Sequence, residues 1–188
     1  MEQRLLIIGA GVYSLVAKEI AESMHCFAAI EFLDDHASAT PSGIPVHGTT
    51  ADLEAFSKQY THVIVAIGNP EVRGRMLAEL KERGLLQVAT LVSPRAYVSP
   101  DAKIGEGCIL EPMAVVHTGC VLEKGCIVSA GAVINHASLC EECVHVDCNA
   151  TVAGYTRVPR AVKVSSGTVF SGERTDPQAL YRLIRASR

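Results

Sequence analysis

The chain carries no excess of positive charge: 17 Lys and Arg stand against 20 Asp and Glu, a formal net charge of −3. That balance does not favour a nucleic-acid or anionic-membrane surface. Long apolar runs are missing as well. The hydrophobic stretches are short and broken by charge, and none suits a bilayer span of about 20 residues. Residues 1–8 hold no basic region followed by a cleavable apolar segment, the pattern of a secretory leader. The expectation is a cytoplasmic protein with no membrane insertion and no nucleic-acid partner. A disulfide plan is also absent. The cysteines number seven, an odd count, and they fall in step with a repeat rather than in a pairing scheme.

The repeat has a period of six. Every sixth residue is apolar from Val92 through Val98, Ile104 and Leu110 to Val164 and Phe170, with no slip of register. Two places before each stands a small or β-branched residue, from Thr90, Ala96, Ala102 and Cys108 to Val162 and Thr168. An α-helix repeats at about 3.6 residues and a strand at about 2, so neither explains it. A solenoid does. Each hexapeptide is one short strand and a turn, and three hexapeptides close a triangular coil. The aliphatic side chain points inward, the small one fits the corner, and backbone groups pair from coil to coil.

Ahead of the solenoid the pattern changes. A buried-type strand over residues 4–8 runs into Gly9-Ala10-Gly11, followed by a helix over 12–24. A second strand over 27–33 ends in Asp34-Asp35, before a loop rich in Pro and Gly. Thr50 is placed to cap a helix reaching Tyr60. A third strand over 62–67 meets Gly68-Asn69-Pro70, and Pro70 suits the first turn of a helix that stops at Gly84. A fourth strand over 88–92 leads into the solenoid. Strands alternating with helices predict a small Rossmann-like parallel α/β domain. Its ligand belongs at the carboxyl ends of the strands, where Gly9, Asp34 and Gly68 converge. Gly9-x-Gly11-x-x-Ser14 is close to a dinucleotide fingerprint, but Ser14 replaces its third glycine. A nucleotide-sugar phosphate on the helix N-terminus, NAD, and a tight turn without a ligand all fit that loop. The domains expected are 1–88, 89–172 for the β-helix, and 173–188 for a short C-terminal helix.

In the solenoid, His136 stands two places after the inward Ile134. Three hexapeptides further on, in the next coil, the stacked residue is Gly154; three back it is Thr118. A histidine with glycine above it has open space beside it, enough for a bulky thioester. Acyl transfer needs a base of this kind, because an amine or hydroxyl loses a proton as it attacks. A backbone N–H near Gly154 is suited to the developing oxyanion. The alternative is a histidine that merely caps a polar turn. Cys140-x-x-Cys143 with His145 and Cys148 suggests zinc, but Cys140 occupies an inward position and cannot converge with outward groups, so no metal is expected. At the C-terminus, Asp176-Pro177 starts a helix with an apolar stripe of Ala179, Leu180, Leu183 and Ile184. That helix is expected to close the last open coil. A phosphate contact by Arg182 and Arg185 is the minor alternative.

A small α/β domain followed by hexapeptide repeats resembles the PglD/NeuD-type family of sugar acyltransferases. The resemblance runs from Arg4 to about Val158. Phe32-Leu33-Asp34-Asp35 is similar to the family's nucleotide-contacting loop, and Ala66 to Arg73 to the loop and helix start after its third strand. Val133-Ile134-Asn135-His136 is similar to its catalytic-base segment. His145-Val146 and Ala153-Gly154 are similar to the segment that meets the acetyl donor. The resemblance implies a left-handed β-helix, acetyl-CoA as cosubstrate, and a homotrimer with sites between subunits. It implies His136 as general base with Asn135 beside it, and His145, Ala153 and Gly154 as donor contacts. Gly9, Gly11, Asp34, Asp35, Gly68 and Asn69 become contacts for a nucleotide sugar.

Three departures stand out. Gly9-Ala10-Gly11-Val12-Tyr13-Ser14 lacks the family's second small-residue turn, Ala137 stands where an acid usually follows the base, and the solenoid is shortened. Without that acid, Asn135, His117, Asp147 or a residue of a neighbouring subunit is left to orient His136. The implied activity is N-acylation of a nucleotide-linked amino sugar in bacterial surface-glycan synthesis. The alternatives are O-acetylation of a sugar or sialic acid, and a non-enzymatic nucleotide-sugar-binding protein.

Overall fold

The computed structural model describes residues 2–186, without the side chain of Leu183. The parts of Leu183 and of the terminal Arg188 in the expected helix therefore lie outside the described residues. The chain divides into two compact units, one ending at Leu91 and the next beginning at Val92.

The first unit is built on a five-stranded sheet of β1 (Arg4–Ile8), β2 (Ala29–Leu33), β3 (Val46–Gly48), β4 (His62–Val65) and β5 (Gln87–Val88). The strands are all parallel, in the order β3-β2-β1-β4-β5. The central strands read as continuous apolar runs because both faces are covered, and Leu5, Leu6, Ile7 and Ile64 are fully buried. The helices are α1 (Val12–Ser23), α2 (Leu53–Phe56) and α3 (Pro70–Arg83). Asn69 caps α3, accepting from the N–H groups of Glu71 and Val72, and Gly84 ends it in the left-handed conformation at φ +59°.

Three details differ from expectation. β3 lies inside the loop that reads only as Pro- and Gly-rich; three residues are too few to show a period. The helix expected from Thr50 to Tyr60 is a 3-10 turn, Thr50–Asp52, followed by the four residues of α2. Thr49, not Thr50, precedes it, its N–H and hydroxyl both donating to Asp52 Oδ2 at 2.8 and 2.9 Å. The single strand expected over 88–92 is two: β5 completes the first sheet, and β6 (Leu91–Val92) opens the solenoid.

The second unit is a left-handed parallel β-helix of fourteen two-residue strands, β6 to β19 (Val169–Phe170). One sheet takes β7 (Tyr97–Val98), β10 (Val115–Val116), β13 (Val133–Ile134), β16 (Thr151–Val152) and β19 in turn; a second takes β8 (Lys103–Ile104), β11 (Val121–Leu122), β14 (Leu139–Cys140) and β17 (Arg157–Val158); the third takes β6, β9 (Ile109–Leu110), β12 (Ile127–Val128), β15 (His145–Val146) and β18 (Lys163–Val164). Each strand pairs with the one a full coil away, as Val133 of β13 (Val133–Ile134) pairs with Thr151 of β16 (Thr151–Val152). The inward positions form a continuous apolar column in which Leu110, Val116, Ile134, Cys140, Val146, Val152 and Val158 are sealed from solvent.

A second periodic feature was not anticipated. Every sixth residue from Gly107 to Gly167 has φ between +50° and +73°. The corner of each hexapeptide therefore turns through the left-handed region, where an L side chain crowds its own carbonyl at a cost of roughly 1–2 kcal/mol. Glycine occupies only five of these eleven corners; Met113, Ala137, Cys143, Asn149, Tyr155 and Ala161 hold the rest.

The C-terminal helix, α4 (Pro177–Ala186), corrects an expectation. Leu180 and Ile184 are buried against Val121 and Ala137, with Leu139, Tyr155 and Tyr181 packed around them. The helix thus runs along one side of the solenoid across successive coils and does not close the last one. The reason is local. After the final coil the chain doubles back: Thr156 and Arg174 form an antiparallel bridge, and the N–H of Arg157 donates to Glu173 O at 2.8 Å. The apolar stripe of the helix then meets the nearest apolar surface, which is lateral.

Candidate active site

Each unit holds its own group of the residues singled out by sequence. In the first, the β1 turn closes tightly on the end of β4. A Cβ on Gly9, where φ is +108°, would stand 3.1 Å from Ala66 O and 3.2 Å from Ile67 Cγ1. The Asp34 carboxylate knots the loops together, accepting from Ala10 N–H at 2.8 Å and from the N–H groups of His36 and Ala37 at 2.9 Å. Partial burial pushes this carboxyl up, but the three backbone donors outweigh it and hold the group below the usual carboxylate range. Asp35 accepts from the N–H and hydroxyl of Thr50, at 2.8 and 2.9 Å. Gly9, Asp34 and Asp35 line a cleft of about 160 Å³ with Thr50, Ile67 and Val72. Gly11, Gly68 and Asn69 do not line it. Asn69 serves as the cap of α3, and a Cβ on Gly11 or Gly68 would meet open space. Arg73 was not recognised from sequence as a contributor. It is fully buried, and its Nη1 donates to Ile67 O at 2.7 Å and Gly68 O at 3.1 Å, fixing the loop before α3.

These bonds make Asp34 a pH-dependent support. Its folded pKa is depressed, so its contribution is complete above the unfolded value of about 3.9 and fades as pH falls through the folded one. Asp34→Asn is expected to lower the melting temperature near neutrality. The gap to wild type should close progressively below about pH 4 in a series of thermal melts.

In the second unit the corner after β13 is built around His136. Asn135 Oδ1 accepts from the His136 backbone N–H at 2.8 Å and lies 2.7 Å from His136 Nδ1. The backbone donor settles which end of the amide is oxygen, and an oxygen there requires the proton on Nδ1. In the neutral ring that tautomer puts the lone pair on Nε2. A Cβ on Gly154, one coil on, would stand 3.0 Å from both Cε1 and Nε2 of the ring. Tyr155 meets the ring edge-on, with centroids 4.8 Å apart and planes at 89°. The backbone is held by cross-coil bonds: Ala137 N–H to Thr118 O at 3.0 Å, Tyr155 N–H to His136 O at 2.9 Å, and the Ser138 hydroxyl to Ala153 O at 2.9 Å.

Of the candidates within the chain to orient His136, Asn135 is the one in contact with it. His117 is exposed, while Asp147 pairs with Lys163 at 3.0 Å and accepts from Cys148 N–H at 2.8 Å. His145 is not brought to His136. It lies on β15 (His145–Val146), in a different sheet, nearly buried, with Nε2 3.0 Å from the Ser129 hydroxyl. Tyr155 escaped notice because nothing in the sequence marks its corner as left-handed. The five buried cysteines serve packing, while Cys26 and Cys148 are exposed: Cys140 lies in the apolar column, and burial pushes the Cys120 thiol up to about 11. Among the described residues no three His, Cys, Asp or Glu side chains are grouped to hold a metal ion, and no helix is long and apolar enough to cross a membrane.

Both units have counterparts in known proteins. Residues 4–80 match the family model of the PglD N-terminal domain, and residues 101–136 that of the bacterial transferase hexapeptide (six repeats). The acetyltransferase domain of PglB from Neisseria gonorrhoeae is 34% identical over 89% of this chain and 82% of that one, with a TM-score of 0.83. The same domain in complex with acetyl coenzyme A is 33% identical over 90% and 82%, with a TM-score of 0.84. PerB from Caulobacter crescentus, in complex with CoA and GDP-perosamine, shares the fold at 19% identity over 94% and 92%, with a TM-score of 0.70. No curated protein sequence matches this chain.

Proposed function

Because this chain belongs to the PglD/NeuD-type family of sugar acyltransferases, we propose that it moves an acetyl group from acetyl-CoA to the amino group of a nucleotide-linked sugar, in bacterial surface-glycan synthesis. The observation that carries the reading is the His136 corner: an imidazole with Nδ1 tied to Asn135 and Nε2 facing the one glycine that leaves it room. Nε2 takes a proton from the acceptor amine as its nitrogen attacks the thioester carbonyl. The C–N bond forms, the C–S bond breaks, and the departing thiolate recovers the proton from the imidazolium. Transfer is direct and needs no serine or cysteine nucleophile. The Gly154 N–H supplies the hydrogen bond for the oxyanion. Ala153 and Gly154 seat the donor. His145, engaged with Ser129, supports the coil rather than the acyl group. Gly9, Asp34 and Asp35 shape the nucleotide-sugar cleft, with Gly11, Gly68 and Asn69 setting the turns beside it. Acetyl-CoA as donor and seven free cysteines fit a cytoplasmic protein.

The outward row of the sheet that leads into this corner is mostly apolar and open at both ends. Tyr97 is 56% and Val169 70% exposed, with Val115, Val133 and Thr151 half-buried between them. An apolar ladder of this kind marks an association surface. We infer a homotrimer in which a second copy packs beside His136 and completes the site. Sedimentation showing a stable monomer at working concentration would count against shared sites.

The direct test is acetyl-CoA with a panel of UDP-, GDP- and dTDP-linked amino sugars, followed by release of free thiol. No release from a folded trimer with any of them would remove the transferase reading. Gly154→Ala is a sharper probe, since the added methyl must push the His136 ring aside. We expect kcat to fall about tenfold or more with the fold intact by circular dichroism, because small misplacements of a reacting group are costly.

A further inference from the structure

Tyr155 occupies one of the left-handed corners, at φ +58°, that glycine fills at five other places in the solenoid. A bulky L residue there is a true outlier, and such strain persists only where the surroundings hold it in place. Here they do. The Tyr155 N–H donates to His136 O at 2.9 Å, and its carbonyl accepts from Thr175 N–H at 2.9 Å. The Arg174 guanidinium lies 5.4 Å from the centroid of its ring. The Thr175 hydroxyl donates to Ala137 O at 2.6 Å, binding the same returning segment to the residue after His136. The bonds made by the Tyr155 N–H and the Thr175 hydroxyl thus tie Tyr155 to the corner that carries His136. On its other side the ring stands edge-on against the imidazole. A single hydrogen bond at Nδ1 is all that opposes a pivot of the imidazole about its Cα–Cβ and Cβ–Cγ bonds. Gly154 has no side chain to stop it.

We propose that Tyr155 is a positioning residue for acyl transfer: its ring blocks that pivot and keeps Nε2 of His136 aimed at the acceptor amine. This rests on the reading of His136 as the general base. It accounts for an aromatic ring at a left-handed corner, a position that glycine fills five times in the solenoid.

The test uses the full-length protein and three substitutions. Tyr155→Gly removes the ring and relieves the backbone, so a loss of activity cannot be blamed on new strain. Its kcat should drop roughly ten- to a hundredfold, the scale of a misaligned reacting group, while both KM values stay within about threefold. Tyr155→Phe keeps the ring and should remain near wild type. Leu180→Ala loosens the packing around the same corner without touching the imidazole, and its kcat should hold. Nitrogen-15 spectra of the His136 ring supply a readout independent of turnover: one Nδ1-protonated tautomer in wild type and a mixture in Tyr155→Gly. Wild-type kcat and an unaltered ring spectrum in Tyr155→Gly would overturn the proposal. So would a fall in Tyr155→Phe as large as in Tyr155→Gly, which would assign the effect to the hydroxyl, or an equal fall in Leu180→Ala, which would reduce it to general loosening. Wild-type protein that releases no thiol would instead sink the transferase reading, while the spectra still decide whether Tyr155 holds the ring.

Discussion

His136→Ala is expected to lower kcat by roughly 10²- to 10⁴-fold, the range for loss of a general base. The acceptor KM should change far less, because the imidazole acts on the proton lost during attack and not on the sugar nucleotide at rest. The split matters as much as the size. A variant that kept its kcat and lost acceptor affinity would make His136 a binding group and remove the base from the mechanism. Asn135 sharpens the same point. Its amide oxygen holds the proton on Nδ1 without contributing a charge. Asn135→Ala should therefore damage kcat less than loss of the imidazole itself. Near-wild-type turnover of His136→Ala under saturating substrates is the result that would defeat this account.

Gly105→Val is expected to produce the largest loss of stability in the solenoid. The Gly105 N–H donates to Leu122 O at 2.8 Å in the next coil. A Cβ on Gly105 would stand 2.7 Å from both Glu123 C and Lys124 N, which are backbone atoms with no rotamer to change. Neighbouring strands lie about 4.8 Å apart in the hydrogen-bonding direction. The coils cannot part locally without breaking the bonds that define them. We expect a cost of about 3 kcal/mol or more, at the upper end of overpacking penalties. For a chain of this size that is a fall in Tm on the order of 6–12 °C. The contrast with Gly154→Ala is instructive. There the obstacle is the end of a side chain, which can move, so function is lost before stability. A Gly105→Val variant that melts with wild type would mean that the coils are less tightly bound to one another than their register implies.

The solenoid was legible in the sequence because its core imposes one aliphatic residue on every hexapeptide, and Val92 to Phe170 keep that register throughout. The same arithmetic placed Gly154 over His136, and the structure puts the ring 3.0 Å from where a Cβ of residue 154 would stand. What stayed hidden depends on conformation rather than composition. The left-handed corners are written as glycine only five times in eleven, so Tyr155 and Ala137 look ordinary in the sequence. The choice of Asn135 over His117 and Asp147 turns on side-chain direction, which stacking arithmetic does not supply. The position of α4 depends on which apolar surface the chain reaches after doubling back at Glu173, and its apolar stripe alone cannot tell a side from an end. In the first unit Gly9 and Asp34 were readable because tight turns at strand ends need few residue types. β3 was not, having too few residues to declare a period.

The lateral seat of α4 also sets how the β-helix comes apart. In a stack where each coil touches only its neighbours, stability is a sum of local terms, and the ends fray first. By packing against Val121, Ala137 and Tyr155, the helix ties together coils that would otherwise open one at a time. The segment from Gly119 to Tyr155, which includes His136, is expected to open as a single cooperative block. In the isolated subunit the coil beyond it, ending in Val169 and Phe170, is expected to exchange its amide hydrogens first.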